Sequence, residues 1–364
     1  MKIAVVGGGL FGCTAALVAA KVGHHVDLYE ASGALMGGAT AHGFARLHRG
    51  YHYPRSPETG RESRAGEDLF RAAYGDAVID RGQQEYVVAP GSKVTFTEFL
   101  AFCDAESLPY ETIFGRDAVR VKEGRINVQA LQAIVRYRVA RESNVRVFLD
   151  SRVDRGLDGY DQIIVAAYAG INDVLRDLGH FRCDTYKFQL VERPVILFDA
   201  DQKMHDKSIV VIDGPFGCVD PLDDSPLHIL GHVTETILDE YEGVIPRFDR
   251  DANRGLSLAA RPKVFERARD ALVNSIPELS RATYIGSSLT VRAVLAGESA
   301  TDRRPTLVRR VSDKIVSIFS GKLGTAVDAA YRALALCEGV DDRAGRDRIQ
   351  HDNRAKFAVV NSDA

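Results

Sequence analysis

Apolar residues recur along this chain with two different periods, and both occur within its first thirty residues. Residues 2–6 (KIAVV) form a short run rich in β-branched side chains, which predicts a buried strand. Residues 13–22 are rich in Ala and Leu and predict a helix, while residues 26–29 predict a second strand. The first strand and the helix are joined by a G-x-G-x-x-G sequence whose glycines are Gly7, Gly9 and Gly12. The chain therefore begins with a predicted β–α–β unit built around a tight turn.

This turn has the spacing of a dinucleotide-binding site. Its first glycine permits the tight turn, its second lets a pyrophosphate approach the backbone, and its third lets the helix pack close to the strand. The N-terminus of the helix, at Leu10 and Phe11, would offer its N–H groups to the phosphates. Glu30, at the tip of the second strand, can accept hydrogen bonds from a ribose, and an acid at this position disfavours NADP. The alternative is an ordinary glycine-rich β–α turn.

The remaining periodicities predict a mixed α/β chain. Helices are predicted within residues 57–74, 94–105, 125–140 and 262–275, and strands at 84–89, 145–149, 161–167 and 283–294. From about residue 186, strand-like runs separated by turns predict an antiparallel sheet. Near the C-terminus a second strand–turn–helix arrangement is predicted, with a strand at 314–319, a helix at 326–336 and the turn SGKLGT between them. The charged residues after 340 predict a loosely attached tail.

Composition narrows the class of protein. The chain has 364 residues, of which 45% are apolar and 27% charged, an ordinary globular composition with enough length for two lobes. A formal net charge of -3 does not favour nucleic acid or an acidic membrane surface as a partner. Five cysteines without a C-x-x-C pair disfavour a disulfide framework and a metal site, so a reducing cytoplasm is expected. Neither a signal peptide nor a membrane-spanning segment is expected.

The segment after Glu30 is dense in small residues that let a backbone approach a bulky ligand. It also carries basic and aromatic side chains in alternation: Arg46, His48, Arg49, Tyr51, His52, Tyr53 and Arg55. Histidine titrates near neutrality, so His48 and His52 are candidate acid–base groups, although either could be a structural histidine. A solvated basic loop is the alternative for the whole segment.

Together these residues resemble the D-amino-acid oxidase superfamily of FAD-dependent oxidoreductases. The first thirty residues resemble the ADP-binding unit of that superfamily. The segment from His48 to Tyr53 is similar to the H-x-G-x-x-Y segment of L-2-hydroxyglutarate oxidases. Ser320-Gly321-Lys322 is similar to a turn in those enzymes and in glycerol-3-phosphate dehydrogenases that lies over the pyrimidine edge of the flavin. The loop 39–43 lacks the asparagine of the usual S-x-x-N-x-G sequence.

The resemblance implies a fold, a cofactor and a division of the chain. The expected fold is a Rossmann-like FAD-binding domain of the glutathione-reductase type with an interleaved antiparallel-sheet substrate domain. FAD binding is expected for residues 1–80, 144–182 and 285–345, substrate binding for 81–143 and 183–284, and 346–364 would form the tail. Expected cofactor-binding residues are Gly7, Gly9, Leu10, Phe11, Gly12, Glu30, Thr40, Ala41, His42, Arg46, Val153, Ala167, Gly321, Lys322, Leu323, Gly324 and Thr325.

The implied reaction removes a hydride from a carbon that bears an amine or a hydroxyl, with the flavin N5 as acceptor. Candidate catalytic residues are His48, His52, Tyr53 and Lys322. A substrate carboxylate would need a basic partner, and the candidate substrate-binding residues are Tyr51, Arg55, Tyr186 and Arg292, with Arg46, Arg303 and Arg304 as further basic candidates. Lys322 could be a surface lysine, and His48 could tether the flavin covalently.

The interpretation favoured is oxidation of a C–N bond in a small carboxylate-bearing substrate. Oxidation of a 2-hydroxy acid and a biosynthetic flavoenzyme acting on a tailored intermediate are alternatives, as is a dinucleotide-binding protein without redox activity. O2 or another electron acceptor would reoxidise the flavin, and the oligomeric state stays open.

Overall fold

The chain is divided between two large sheets. The computed structural model describes residues 1–154, 156–181, 183–248, 254–257, 262–297 and 303–340, with the backbone alone described for 254–257. Strands of the first sheet come from both ends and the middle of the chain, and the second sheet takes most of the segments between them. The two sheets are therefore interleaved in sequence.

The first sheet is six-stranded and mostly parallel. Its strands, in spatial order, are β18 (Leu307–Arg310), β19 (Ile315–Phe319), β10 (Gln162–Val165), β1 (Lys2–Val6), β2 (His25–Tyr29) and β9 (Val145–Phe148). Five of them run in parallel, and β18 pairs antiparallel with β19. The central strands are buried on both faces, which explains why they are continuous apolar runs rather than alternating ones.

Helices cover one face of this sheet. They are α1 (Leu10–Lys21), α2 (Pro57–Tyr74), α4 (Val128–Arg141) and α7 (Ala326–Cys337), which share one hydrophobic core. Both α1 and α7 are rich in alanine and buried almost all round, so they can pack closely together. On the other face, α5 (Ile171–Asp177) packs with Tyr186 and Phe188 of the second sheet.

The second sheet has ten strands and is mostly antiparallel. They are β5 (Gln83–Val88), β6 (Tyr110–Thr112), β7 (Ala118–Val121), β11 (Tyr186–Leu197), β12 (Lys207–Ile212), β13 (Gly217–Pro221), β14 (Leu227–His232), β15 (Ile237–Gly243), β16 (Arg254–Ser257) and β17 (Thr283–Leu295). The long pair β11 and β17 runs through its centre, with Gln189 opposite Arg292. Helices α3 (Phe96–Ala105) and α6 (Pro262–Leu272) contribute to its two cores.

A three-stranded sheet lies beside these two. Its strands are β3 (Arg46–Leu47), β4 (Val78–Ile79) and β8 (Gly124–Ile126). The structure thus confirms the predicted mixed α/β class with one mainly parallel and one mainly antiparallel sheet. Within the described residues, no helix is long and apolar enough to cross a membrane.

Several predicted boundaries were wrong. The helix predicted from residue 125 begins at Val128, because residues 124–126 form a strand and the side chain of Asn127 accepts a bond from the Ala130 N–H. The helix predicted from 94 begins at Phe96, after a capping box formed by Thr95 and Glu98. Periodicity cannot locate such caps, because it depends only on the spacing of apolar residues inside the helix that follows them.

Two elements also pack on the other side of the predicted domain division. The strand β17 pairs along its length with β11 in the second sheet, although residues from 285 were assigned to the cofactor domain. Helix α4 packs in the core of the first sheet with α1, although residues 81–143 were assigned to the substrate domain. The predicted tail at 346–364 lies outside the described residues.

Candidate functional site

The glycine-rich turn after β1 has the geometry that its sequence predicts. Gly7 adopts a φ of +112°, in the region that favours glycine. A Cβ on Gly12 would lie 1.8 Å from the carbonyl oxygen of Gly7, so only glycine lets α1 pack this closely against the strand. A Cβ on Gly7 would lie 2.6 Å from the carbonyl oxygen of Ala166 and 3.1 Å from the Ala167 nitrogen, which places Ala167 beside the turn.

The N-terminus of α1 is open to a ligand. The helix follows Gly9 without a side-chain cap, and a Cβ on Gly9 would meet only the Thr40 hydroxyl, at 3.7 Å. The same hydroxyl lies 3.4 Å from the Leu10 nitrogen. Backbone N–H groups and the positive end of a helix dipole therefore face a space that a Cβ would fill, which is the environment a pyrophosphate requires.

Glu30 lies beside the glycine-rich turn, directly after β2. One of its carboxylate oxygens accepts a bond from the Gly8 N–H at 2.7 Å, and the other accepts bonds from Ser32. Val153 is buried in the core on the neighbouring face of the sheet, and the Ser151 N–H bonds to the Glu30 carbonyl. The turn, Thr40 and Glu30 thus form one continuous surface suited to an ADP group.

A second glycine-containing turn lies on the same edge of the first sheet. Strands β1, β10 and β19 are parallel neighbours, so the turns that follow them lie together at their carboxyl ends. After β19, the residues Leu323–Thr325 form one helical turn, and α7 then begins without a side-chain cap. A Cβ on Gly321 would meet nothing within 4 Å. This edge therefore presents two helix N-termini to one elongated ligand.

Lys322 is buried at this turn rather than exposed. Its ammonium group forms an ion pair with Glu62 of α2 and lies 6.0 Å from the ring centre of Tyr53. Burial lowers the pKa of Lys322, and the Glu62 carboxylate opposes that shift. Glu62 also accepts a bond from the Thr306 N–H, which fixes the carboxylate in place. The surface-lysine alternative is wrong for this residue.

The structure brings three of the four candidate catalytic residues into one ring cluster beside Lys322. The rings of His48, His52 and Tyr53 have centroids 5.3 to 5.9 Å apart. His48 Nδ1 lies 3.7 Å from the buried carboxylate of Glu123. Glu123 also accepts bonds from the Tyr86 hydroxyl at 2.6 Å and the Arg49 N–H at 2.7 Å. Burial would raise the pKa of Glu123, but His48, Arg46 and the Tyr86 hydroxyl together outweigh burial and lower it below its usual range.

Two predicted site residues have other contacts. Arg46 is buried and bonded to Asp220 and Ser208, which assigns its charge to an internal ion pair instead of the cofactor. Tyr51 is fully buried against Tyr86, and its hydroxyl donates to the Pro109 carbonyl at 2.6 Å. Tyr51 is therefore a core residue. The sequence did not predict this, because the residues that surround its ring are distant from it in the chain.

Two further substrate-binding candidates also differ from expectation. The Arg55 Nε donates to both carboxylate oxygens of Asp213, at 2.9 and 2.7 Å. Tyr186 packs on Phe319 at 4.5 Å in the core between the two sheets. An aromatic residue at the start of a long strand can belong to the core as readily as to a binding site, and Tyr186 belongs to the core.

Arg292 lines an open groove on the second sheet. The groove has a volume of about 610 Å³ and lies on the face of the β11–β17 pair that carries Lys187, Gln189, Arg292 and Val294, with strand β15 along its side. Arg304, another of the basic candidates, also lines the groove. The lining of the groove therefore combines cations with the carboxylates of Asp239 and Glu240 and a few apolar side chains.

Sequence reasoning missed Arg193, which lies on the same strand face as Gln189. Its Nη1 donates to the His42 carbonyl, and its guanidinium stacks over the Phe44 ring at 4.7 Å. Burial and the charge of Arg292 lower the pKa of Arg193 to about 10. Burial and the charge of Arg193 likewise lower the pKa of His42. In the sequence, Arg193 could have been found as a charged residue at a strand position that faces the interior. The sequence alone does not show which face of the strand that is, because this depends on the sheet register.

A parallel sheet with two glycine-rich turns at one edge, beside an antiparallel sheet with an open groove lined by charged residues, is the arrangement of a dinucleotide-binding oxidoreductase fold. The sequence matches the family described as DAO, FAD dependent oxidoreductase, over residues 2–310, and the chain belongs to this family. It is therefore an FAD-dependent oxidoreductase. The open N-terminus of α1, Glu30 and the Gly321 turn fit FAD. Membership also sets aside the alternative of a dinucleotide-binding protein without redox activity.

Two named FAD-dependent monooxygenases are similar to nearly the whole chain. It is 26% identical over 385 residues to the FAD-dependent monooxygenase kojA of Aspergillus flavus, covering 94% of this chain and 87% of that protein. It is 23% identical over 361 residues to the FAD-dependent monooxygenase FPY4 of Fusarium mangiferae, covering 93% and 91%. The fold is similar to that of glycine oxidase from Geobacillus kaustophilus, with a TM-score of 0.70 at 13% identity, covering 93% and 95% of the two chains.

Proposed function

We propose that this enzyme oxidises the C–N bond of a small amine that carries a carboxylate. The observation that carries the proposal is Arg292, a half-buried cation in a groove at the centre of the second sheet. A carboxylate bound by an arginine gains two parallel charge-assisted hydrogen bonds, which fix the orientation of a small molecule. The shared fold with glycine oxidase, an enzyme whose name gives an amino acid as substrate, supports the amine.

FAD, when bound, supplies N5 as the hydride acceptor, and the side chains around it bind and orient the substrate. The ring cluster of His48, His52 and Tyr53 is proposed to hold or accept the proton that leaves the substrate amine. The carboxylate of Glu123 lies 3.7 Å from His48 Nδ1 and is proposed to orient that ring. The ammonium of Lys322 and the N–H groups at the start of α7 would stabilise negative charge at the flavin edge.

The proposal predicts that the substrate alone reduces the flavin. FAD-loaded protein would be mixed without air with a panel of amino acids and matched 2-hydroxy acids, and loss of the flavin absorbance would be followed. Bleaching by an amino acid, with release of ammonia after air is admitted, supports the proposal. Bleaching by hydroxy acids alone would contradict it. The variant Arg292→Leu should raise KM strongly, whereas Arg281→Leu, whose exposed guanidinium pairs with Asp199 and Asp201, should not.

A second candidate is hydroxylation of a small substrate. Its support is that the relatives kojA and FPY4, each matched over more than nine-tenths of this chain, are named monooxygenases. Hydroxylation needs an external reductant, and one atom of O2 enters the product. NADH or NADPH consumption that depends on substrate, together with labelled oxygen in the product, would favour this candidate over direct amine oxidation. We propose O2 or another electron acceptor as the second substrate of amine oxidation, whereas hydroxylation would require O2 itself.

A further inference from the structure

The segment that leads to β3 reaches from the glycine-rich turn to the second sheet. We call its residues 39–44 the bridging loop. Near its start, the Thr40 hydroxyl lies 3.4 Å from the Leu10 nitrogen, at the open N-terminus of α1. Near its end, the side chain of Phe44 lies against Gly231 of β14 and beside the guanidinium of Arg193. One short loop therefore contacts both the phosphate side of the cofactor site and the second sheet.

Gly231 leaves the space in which the Phe44 ring lies. A Cβ at position 231 would lie within 2.6 Å of two carbons of that ring, closer than real Cβ atoms come to a neighbour. The φ of Gly231 is not in the left-handed region, so its backbone conformation does not itself require glycine. A glycine inside a strand often marks the close approach of another group. Here that group is the aromatic ring of the bridging loop.

Arg193 of β11 lies on the same face of the second sheet as Gly231. In the antiparallel pair of β11 and β14, Val195 is opposite Ile229. Arg193 precedes Val195 by two residues and Gly231 follows Ile229 by two, so both lie on the face of that pair. The guanidinium carbon of Arg193 is 4.7 Å from the centre of the Phe44 ring. The ring therefore has a strand without a side chain on one side and a cation on another, and aromatic faces attract cations.

The guanidinium of Arg193 also restrains the backbone of the bridging loop. Its Nη1 donates a hydrogen bond to the carbonyl oxygen of His42, and Arg193 retains only about 8% of its accessible surface. Hydrogen bonds from charged donors are stronger than those between neutral groups. Arg193 thus contacts the loop twice, through the backbone at His42 and through the ring of Phe44.

Other elements fix the chain on either side of the bridging loop. Before it, the side chain of Gln132 in α4 donates to the Met36 carbonyl at 3.1 Å. After it, the Ile126 N–H donates to the Ala45 carbonyl at 2.6 Å. The contacts with Arg193 restrain the part in between, which is the part that carries the hydroxyl beside α1.

We propose that Phe44, Gly231 and Arg193 are positioning residues for the cofactor. They hold the bridging loop where the Thr40 hydroxyl closes the space in front of α1, in which the pyrophosphate of FAD binds. The second sheet thereby sets the affinity for a cofactor whose glycine-rich turn belongs to the first sheet. This inference needs only FAD as the cofactor and is independent of the proposed amine oxidation.

The test is the affinity of the full-length apoprotein for FAD. Apoprotein from riboflavin-starved cells would be titrated with FAD, and quenching of the flavin fluorescence would be followed. Gly231→Ala should raise the dissociation constant of FAD by at least about tenfold, because its Cβ displaces the Phe44 ring. The matched control is Gly214→Ala, whose Cβ would also lie within 2.9 Å of a phenylalanine ring, that of Phe216. Phe216 lies outside the bridging loop, so Gly214→Ala should bind FAD as the wild type does. Equal FAD affinities in the two variants would overturn the proposal.

A compensating change tests the contact itself. In the double variant Gly231→Ala/Phe44→Leu, the shorter side chain leaves room for the new Cβ, so FAD should bind more tightly than to Gly231→Ala alone. A double variant that binds FAD no more tightly would refute the assigned contact. Should Gly231→Ala fail to fold, Phe44→Ala decides instead, because it removes the ring without creating a clash. Phe44→Ala should weaken FAD binding, and wild-type affinity in this variant would contradict the proposal.

A direct contact between Arg193 and FAD is the other explanation for an effect of Arg193. Arg193→Met should weaken FAD binding by about tenfold, the usual effect of losing a charge-assisted hydrogen bond. If Arg193 acts through the loop, adding Arg193→Met to Phe44→Ala should weaken binding by much less than the product of the two single effects. Fully multiplicative effects would indicate a direct contact and overturn the positioning role.

Hydrogen exchange of the loop separates positioning of the cofactor from simple packing. In the FAD-loaded protein, amide exchange of residues 37–45, measured by mass spectrometry, should be faster in Gly231→Ala and Arg193→Met than in the wild type and in Gly214→Ala. Unchanged exchange in Gly231→Ala and Arg193→Met would overturn the proposed restraint. Faster exchange without any loss of FAD affinity would show that the loop is anchored but does not position the cofactor, and would refute the proposal.

Discussion

The ion pair between Glu62 and Lys322 provides a sharp test of the site, because the same helix carries a matched exposed pair. The side chain of Lys322 is 6% exposed and that of Glu62 is 25% exposed. One turn earlier on α2, Glu58 lies 3.6 Å from Arg303, and its side chain is 75% exposed. The changes Glu62→Gln and Glu58→Gln therefore remove the same charge from the same helix in two different environments.

The expected magnitudes differ clearly. Breaking a buried ion pair by removing one partner costs about 3–5 kcal/mol, because the remaining charge stays buried. Since water reaches a quarter of the Glu62 side chain, we expect Glu62→Gln to lower the free energy of unfolding by about 2–3 kcal/mol. Exposed pairs contribute about 0–1 kcal/mol, so Glu58→Gln should cost less than about 1 kcal/mol.

The assay is urea unfolding of the FAD-loaded proteins, with the double variant Glu62→Gln/Lys322→Met as a third measurement. The double variant removes the stranded ammonium and should recover most of the stability lost in Glu62→Gln. Equal losses for Glu62→Gln and Glu58→Gln would refute the view that Lys322 is a buried cation held by Glu62. A double variant less stable than Glu62→Gln would refute it as well.

Three further predictions concern the turn, the core and the loop. Gly12→Ala should abolish FAD binding and lower the free energy of unfolding by more than about 3 kcal/mol, because the new Cβ would overlap a backbone oxygen. The control Gly75→Ala has open space around its Cβ and should keep both FAD binding and stability. FAD content and urea unfolding measure the two effects. Tyr51→Phe should cost about 1 kcal/mol for one lost hydrogen bond and leave kcat/KM unchanged, as measured by urea unfolding and steady-state kinetics. Because burial and Arg193 lower the pKa of His42 in the folded state, the stability that His42 contributes is present above its unfolded pKa and is lost as pH falls below that value. Arg193→Met should raise the His42 pKa in an NMR titration and reduce the loss of stability at low pH. An unchanged His42 pKa would contradict an effect of the Arg193 charge on His42.

Local sequence was sufficient for the parts of the site that are themselves local. The turn from Gly7 to Gly12, Glu30 and the turn at Gly321 were predicted from spacing within a strand–turn–helix unit. Each depends on backbone approach or on helix N-termini, and both are properties of a few consecutive residues. The ring cluster around His48 was also predicted as a set, because its members are close in sequence.

Partners distant in sequence could not be predicted. Glu62, Glu123 and Arg193 lie in a helix, a turn and a strand that give no local sign of a function. Their roles follow from packing: α2 against the turn after β19, the turn before β8 behind His48, and β11 facing the loop at His42. Arg46 was misassigned for the same reason, since Asp220, which neutralises it, is 174 residues away.

The central claim is that a carboxylate-bearing amine reduces the bound FAD directly. Its most direct test is the visible spectrum of the FAD-loaded protein without air, before and after an amino acid is added and with no nicotinamide present. We expect the yellow absorbance to bleach, and to return with release of ammonia when O2 is admitted. A flavin that stays oxidised with every amino acid, but bleaches when NADH or NADPH is added, would contradict the claim and favour hydroxylation.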